Sequence, residues 1–207
     1  MTAVLSNRDL KRAQRRARKA AVPPGGPQAT ARALARIEGA QTMILVEGLS
    51  DQIAVETLAV RGGRDLEREG VVVVPIGGAH AVGGFAGRFA DRQLIGLCDA
   101  GEEHVFRRTL ARVHVCVADL EDELMRALGT SAVQAVIEAE GDLPSFRTFQ
   151  KQPAWRGRPV DAQIRRYLGS SDRRHLRYPR LLVEALDPEQ VPRPLDGVLA
   201  QVGGSAA

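Results

Sequence analysis

The chain has 207 residues, of which 44% are hydrophobic, 26% charged and only 4% aromatic, enough to bury one good core with appended arms but hardly two full domains. No apolar run is long enough to span a bilayer, and the Arg- and Lys-rich N-terminus lacks the apolar stretch of a secretory signal, so a cytoplasmic protein with no membrane contact is expected. The net charge of +4 is segregated: residues 1–40 carry nine Lys/Arg against two acids, residues 41–144 nine against seventeen, and residues 145–180 ten against two. An acidic centre between basic flanks suits divalent cations and a polyanionic substrate, or else only solvated helix faces.

In chain order, "LSNRDLKRAQRRARKAA" is a basic helix or arm whose Arg12, Arg15 and Arg16 suit phosphate contacts, ended by the linker "VPPGGPQAT". "TARALARIEGAQ" is a helix with Thr30 as its expected N-cap, leading into the strand "TMILV". Asp51 to Leu66 is predicted helical, with Ile53, Ala54, Thr57 and Leu58 on one stripe and Asp51 near the positive end of the helix dipole. "GVVVVPI" reads as a strand buried on both faces. The loop "GGAHAVGGFAG" after it either cradles a phosphate beside His80 or, as the simpler account, supplies tight turns. "QLIGLC" is a third strand ending at Asp99, Glu102 to Leu110 a helix, and "RVHVCV" a fourth strand ending at Ala118-Asp119. Cys98 and Cys116 lie inside these apolar runs, outside any metal spacing, and read as buried reduced thiols. Helices then dominate: "DLEDELMRALG", "TSAVQAVIEAE", "DAQIRRYLG" and "YPRLLVEAL".

Short buried strands alternating with helices predict an α/β fold with a mostly parallel sheet of about four strands, whose ligands bind beyond the strands' carboxyl ends. Glu47, Asp99 and Asp119 each follow the last apolar residues of a strand, and Asp51 and Glu121 lie a few residues on, so adjacent strands would gather these acids on one edge. Singly, each is an ordinary cap or turn residue. Together they would repel unless they share protons or bind a hard cation, and an oxygen-only donor set suits Mg²⁺ or Mn²⁺.

"ILVEGLSDQIAVETLA", the Gly-Gly pair after "VVVVPI", "LIGLCDAGEE" and "VCVADLEDEL" resemble a Toprim domain, the metal-dependent catalytic module of topoisomerases, primases and certain nucleases. The version is similar to that of the overcoming-lysogenization-defect (OLD) family nucleases, with Val-Glu-Gly followed closely by Ser-Asp. The resemblance implies a Rossmann-like Toprim domain at 29–130 between a basic arm and linker at 1–28 and a helical, Arg-rich extension at 131–207. It also implies Mg²⁺-dependent phosphodiester chemistry, most simply a DNA endonuclease rather than one acting on RNA. Glu47, Asp51 and Asp99, with Asp119 and Glu121, are by the same resemblance the metal ligands or general acid/base. Two departures stand out. The usual Asp-x-Asp reads "DAG", with Gly101 at the second acid, and no G-x-x-x-x-G-K-[ST] precedes the domain. The expectation is therefore a free-standing Toprim chain acting with a separate ATPase partner, with self-association left open.

Downstream, "FRTFQKQPAWRGRP" and "SSDRRHLRYPR" interleave basic and aromatic residues, a mixture suited to phosphate contact and occasional base stacking. Arg156, Arg158 and Arg174 are candidate nucleic-acid contacts. By resemblance a basic catalytic residue follows the Toprim motifs, and Lys151, Arg174 or Arg177 can fill that role by position. Phe146, Phe149 and Trp155 read better as core anchors than as a stacking platform. Two rival functions remain open: a non-catalytic nucleic-acid-binding or regulatory subunit, and a phosphohydrolase or nucleotidyltransferase acting on small nucleotides.

Overall fold

The computed structural model describes residues 27–202, so the basic arm carrying Arg12, Arg15 and Arg16 lies outside the described residues. Four strands, β1 (Thr42–Val46), β2 (Val71–Pro75), β3 (Gln93–Asp99) and β4 (Val113–Cys116), form one parallel sheet in the order β2-β1-β3-β4. Parallel strands need helical crossovers on both faces, and the side-chain alternation shows which residues serve each. Ile44, Val46, Val71, Val73, Ile95, Leu97 and Cys116 face one core, while Met43, Leu45, Val72, Val74 and Cys98 face the other.

The second face is covered by α1 (Pro27–Ala35), α3 (Val82–Arg88) and α4 (Glu103–Thr109), through Ala33, Val82 and Phe106. The first face holds α2 (Leu49–Arg61) and the run α5 (Leu120–Leu128), α6 (Thr130–Ala139), α7 (Leu143–Gln150), α8 (Val160–Leu168), α9 (Asp172–Ala185) and α10 (Arg193–Gln201). The C-terminal helices therefore share one continuous core with the sheet, and Phe146, Ile164, Tyr167, Leu182 and Val198 are buried in it. Because α2 leaves β1 toward one face and α4 leaves its neighbour β3 toward the other, the chain opens a crevice between these two strands at their carboxyl ends.

Several sequence expectations need correction. Thr30 is no N-cap: α1 begins at Pro27, and the Thr30 hydroxyl instead donates to the Pro75 carbonyl at 2.5 Å, tying α1 to the end of β2. Helix α2 stops at Arg61 rather than Leu66, since Gly62 and Gly63 follow and Gly63 has φ +71°. Its buried stripe is Ala54, Val55, Leu58 and Ala59, with Ile53 and Thr57 half-exposed. The buried Gln52 donates to the Val73 carbonyl at 3.3 Å and to Glu56 at 2.9 Å. Half of the Gly-rich loop is helical (α3). Helix α9 starts seven residues before Pro179, because the Ser171 hydroxyl caps it by accepting the Arg174 N–H. Cys98 and Cys116 are buried and free, and burial pushes both thiols up, Cys98 to about 12.

The C-terminal end of α9 is held by α2. Arg61 donates to the Val183 carbonyl and, at 2.7 Å, to that of Leu186, satisfying acceptors that a helix end leaves open. The carboxyl ends of α2 and α9 thus lie together, and the two helices run side by side with their N-termini at the crevice.

One glycine sets the packing beneath it. A Cβ on Gly96, in the middle of β3, would lie 2.6 Å from Phe106 Cδ1 and 3.0 Å from Leu110 Cδ1, so only glycine lets α4 sit this close to the sheet. Gly96→Ala is expected to lower unfolding free energy by about 1–3 kcal/mol, the usual cost of overpacking, measured by urea denaturation. An unchanged midpoint would show that α4 adjusts freely.

Candidate metal centre

Glu47 is the first residue after β1, and two interactions fix it at the crevice. Its carbonyl accepts the N–H groups of Gly77 and Gly78, both at 3.0 Å, and its carboxylate Oε1 accepts the Asp99 N–H at 2.9 Å. Gly77 and Gly78 have φ +80° and +109°, a turn closed to residues with a Cβ. The glycine turn after β2 thus spends these donors on the end of β1, which favours the turn role over a phosphate cradle.

Asp51 stands in the first turn of α2, where its Oδ2 accepts the Gly48 N–H at 2.8 Å, the half of a capping box open to a glycine N-cap. Asp119 is the N-cap of α5, accepting the Asp122 N–H at 2.8 Å. Glu121 follows in the same turn. Asp99 ends β3 at the head of the 3-10 turn Ala100–Glu102. All five acids are half-buried. The helix positions that ordinary folding favours for acids are thus the ones that bring four of them to the crevice, the N-terminal dipole ends of α2 and α5 offsetting part of their charge.

The five behave as one electrostatic group. Burial pushes Asp51 up to about 8 against the lowering by its Gly48 hydrogen bond, and Glu121, Asp99 and Glu47 raise it further. Asp51 keeps some solvent exposure. Asp99 is pushed up to about 7, by burial first and then by Glu47, Asp119 and Glu121, with Arg165 opposing. Glu47 is raised by burial, lowered by the Asp99 N–H and raised again by Glu102. Carboxyls that hold protons toward neutrality because they are buried and then because they crowd one another are a place where a cation is favoured.

Two basic residues that sequence reading did not single out border the group. Arg165 of α8 is paired with Asp119 and lies 3.7 Å from Asp122. His175 of α9 has Nδ1 3.1 Å from Glu121 Oε1; its ring N–H is not aligned for a hydrogen bond, and that oxygen is buried with no hydrogen-bond partner. The contact with Glu121 nonetheless raises the His175 pKa against burial. Both line a cavity of about 260 Å³ with Asp119, Glu121 and Arg174. A signal for His175 existed: it continues, three and seven residues ahead, the buried stripe of Tyr178 and Leu182. Arg165 likewise adjoins the buried Ile164 and Leu168.

The other candidates lie elsewhere. Arg177 is paired with Glu140 and, at 3.5 Å, with Asp142, which also accepts the Tyr178 hydroxyl at 3.0 Å, so it braces α9 against the start of α7. Lys151, Arg156 and Arg158 are exposed on the segment after α7 and do not line the acidic cavity. Arg174 does line it, donating to the Tyr167 carbonyl at 2.9 Å and to Ser170 Oγ at 2.8 Å. Gly101 lies in the turn after β3 outside the left-handed region, and a Cβ there would meet nothing within 4 Å.

For a divalent cation the donor set is chemically apt: carboxylate oxygens only, mutually repelling. Among the described residues no three His, Cys, Asp or Glu side chains stand close enough together to hold a metal ion. The arrangement suits an ion that keeps several waters and takes one or two carboxylates, as Mg²⁺ does, better than one needing an all-protein shell.

The raised acids carry a pH signature. In EDTA, Asp51 and Asp99 bind protons more tightly folded, at about 8 and about 7, than unfolded, near 3.8. Their contribution to stability is therefore complete below about pH 4 and is lost as pH rises through 7 and 8. Asp51→Asn and Asp99→Asn are each expected to flatten the decline in thermal midpoint between pH 5 and 8. A decline equally steep in both variants would place the titrating groups elsewhere.

Comparison with known proteins gives the crevice its relatives. Residues 40–93, from just before β1 to the start of β3, match the family model described as overcoming lysogenization defect protein-like, TOPRIM domain. The fold is similar to the C-terminal region of the Burkholderia pseudomallei OLD protein, with a TM-score of 0.58 at 15% identity over 81% of this chain and 99% of that one. It is also similar to the C-terminal region of the Xanthomonas campestris pv. campestris OLD protein, with a TM-score of 0.60 at 16% identity over 81% and 94%. No curated protein matches the sequence. Residues 40–93 thus match an OLD-like Toprim domain, and the chain has the fold of the OLD C-terminal regions.

Proposed function

We propose that this chain is a Mg²⁺- or Mn²⁺-dependent nuclease that cuts nucleic acid, DNA in preference to RNA, at the crevice between β1 and β3. The observation that carries the reading is the coupling of Glu47, Asp51, Asp99, Asp119 and Glu121 on the carboxyl edge of a Toprim sheet. These five would hold the cations. When bound, the metal supplies charge stabilisation at the scissile phosphate and lowers the pKa of the attacking water.

The chain's own groups set the rest. Glu47, tied to the Asp99 backbone, keeps the ends of β1 and β3 in register, so the acids from both strands face one ligand. Asp99, pushed up to about 7 in the metal-free chain, is the acid whose proton is most easily exchanged near neutral pH. Arg165 and His175 oppose part of the negative charge and would keep a phosphate from being repelled by Asp119 and Glu121. Any ATP-driven step belongs, in this reading, to a separate ATPase partner.

A second reading has its own observation. Gly101 leaves the turn after β3 with one acid fewer than the family pattern, and Arg165 occupies Asp119. Both weaken cation binding, and a chain of this kind would bind nucleic acid without cutting it.

Two substitutions separate the readings. Glu47→Gln keeps the acceptor for the Asp99 N–H while removing the charge, so the fold should persist and Mn²⁺-dependent cleavage of plasmid DNA should fall at least about a hundredfold. Undiminished cleavage would remove Glu47 from the chemistry. Gly101→Asp has room to fold and should tighten Mn²⁺ binding about tenfold in calorimetric titration, by adding a second carboxylate beside Asp99. If wild type binds DNA yet never cleaves it with Mg²⁺ or Mn²⁺, the non-catalytic reading stands.

A further inference from the structure

A second recess opens beyond Arg174, away from the carboxylates, and differs from the first in chemistry. It encloses about 520 Å³ between α7, the segment after it, α8 and the start of α9. One wall is the stacked pair Phe149 and Trp155, with ring centroids 5.4 Å apart and planes at 27°. Phe149 in turn leans on the buried Tyr167 at 5.6 Å, so the pair is rooted in the core while both rings keep an exposed part. The Trp155 backbone is pinned by the buried Gln163, which donates to its carbonyl at 2.8 Å and accepts from Gln150 at 2.6 Å. The wall is therefore built into the fold.

The opposite side is cationic and unopposed. Arg174 lies 4.2 Å over the Tyr167 ring, its Nε and Nη2 committed to Tyr167 and Ser170, which fixes the guanidinium plane. Arg166 is exposed and forms no ion pair with any described residue. No acid lines the recess, and the Ser145 and Thr148 hydroxyls and Gln152 complete it. Two guanidiniums, neutral hydrogen-bonding groups and a preformed aromatic face are what a nucleotide presents a match for: a phosphate, polar base edges and a flat π surface.

We propose that this recess is a nucleotide subsite, taking one base against Trp155 and the adjoining phosphate at Arg166 and Arg174. It rests on the nucleic-acid reading of the crevice and deepens it: Arg174 lines both cavities, so a strand whose phosphate lies at the acids can continue into the recess. Because the base is read by its face, the subsite favours single-stranded nucleic acid or a frayed end over an intact duplex. A free nucleotide carries the same chemistry.

Trp155 is the only tryptophan in the chain and reports on the recess directly. The full chain is titrated in EDTA, where no metal chemistry takes part, with 5′-phosphorylated oligothymidylate and separately with thymidine monophosphate. Saturable quenching of Trp155 emission by the oligonucleotide is expected. Arg166→Glu should weaken the midpoint at least about tenfold, whereas the same charge change at Arg108, on α4 across the sheet, should weaken it far less. A comparable midpoint for the mononucleotide assigns the subsite to free nucleotides, and a response to the oligonucleotide alone assigns it to strands. Binding of a fluorescein-labelled oligonucleotide by anisotropy with no change in Trp155 emission overturns the subsite, as does equal weakening by the two substitutions or no binding of either probe. Loss of cleavage activity in a chain whose Trp155 still quenches would count against the nuclease reading alone.

Discussion

The Glu47 carboxylate accepting the Asp99 N–H is the interaction on which the crevice depends. In a doubly wound parallel sheet the two strands at the switch point diverge in their connections, one helix going to each face, and nothing in the ladder holds their ends beyond the last pair. A side-chain oxygen bridging to the neighbouring backbone closes that end at 2.9 Å, while the Gly77-Gly78 turn fastens β1 from the other side. The same atom group thus serves packing and, in the proposed chemistry, the cation. This is why Gln is the informative substitution there: it separates the hydrogen bond from the charge.

Concentrating five carboxylates at one edge is costly, and the fold offsets the repulsion in three ways. Helix N-termini of α2 and α5 point at the acids, and α9 reaches the same place because Arg61 couples its far end to that of α2. Arg165 and His175 are brought in by the C-terminal helices. What remains is taken up by protons, since burial first and the neighbouring acids after it raise Asp51 and Asp99. The C-terminal helices therefore do more than cover a face of the sheet. They bring Arg165 and His175 to the crevice on one side and, through Tyr167 and Trp155, build the acid-free recess on the other. The two cavities meet at Arg174, so opposite electrostatic environments lie one side chain apart.

Much of this is legible in sequence because the sheet imposes it. Once "TMILV", "QLIGLC" and "RVHVCV" are read as parallel strands, the residues at their carboxyl ends must share an edge, which is how Glu47, Asp99 and Asp119 could be grouped before any coordinates. What was not legible depends on contacts between distant segments. Arg165 and Asp119 are 46 positions apart and meet only after α5 and α8 pack. Arg177, attractive by charge, is spent on Glu140 and Asp142 for the same reason. Helix α7 went unread because its apolar contribution is thin, Phe146 being its one fully buried residue, and α3 because three glycines sit inside it. The aromatic residues divide in a way composition could not show: Phe146 is core, while Phe149 and Trp155 keep a face to solvent.

The central claim is that the acids of three strand ends form one divalent-cation site. Paramagnetic broadening tests it without reference to any activity. On addition of substoichiometric Mn²⁺ to isotope-labelled protein, the backbone amides of Gly48, Ala100 and Leu120, at the ends of β1, β3 and β4, should broaden together and first, and should recover with EDTA. Broadening confined to one of the three, or first appearing on the opposite edge of the sheet near Thr42 and Val71, would contradict it.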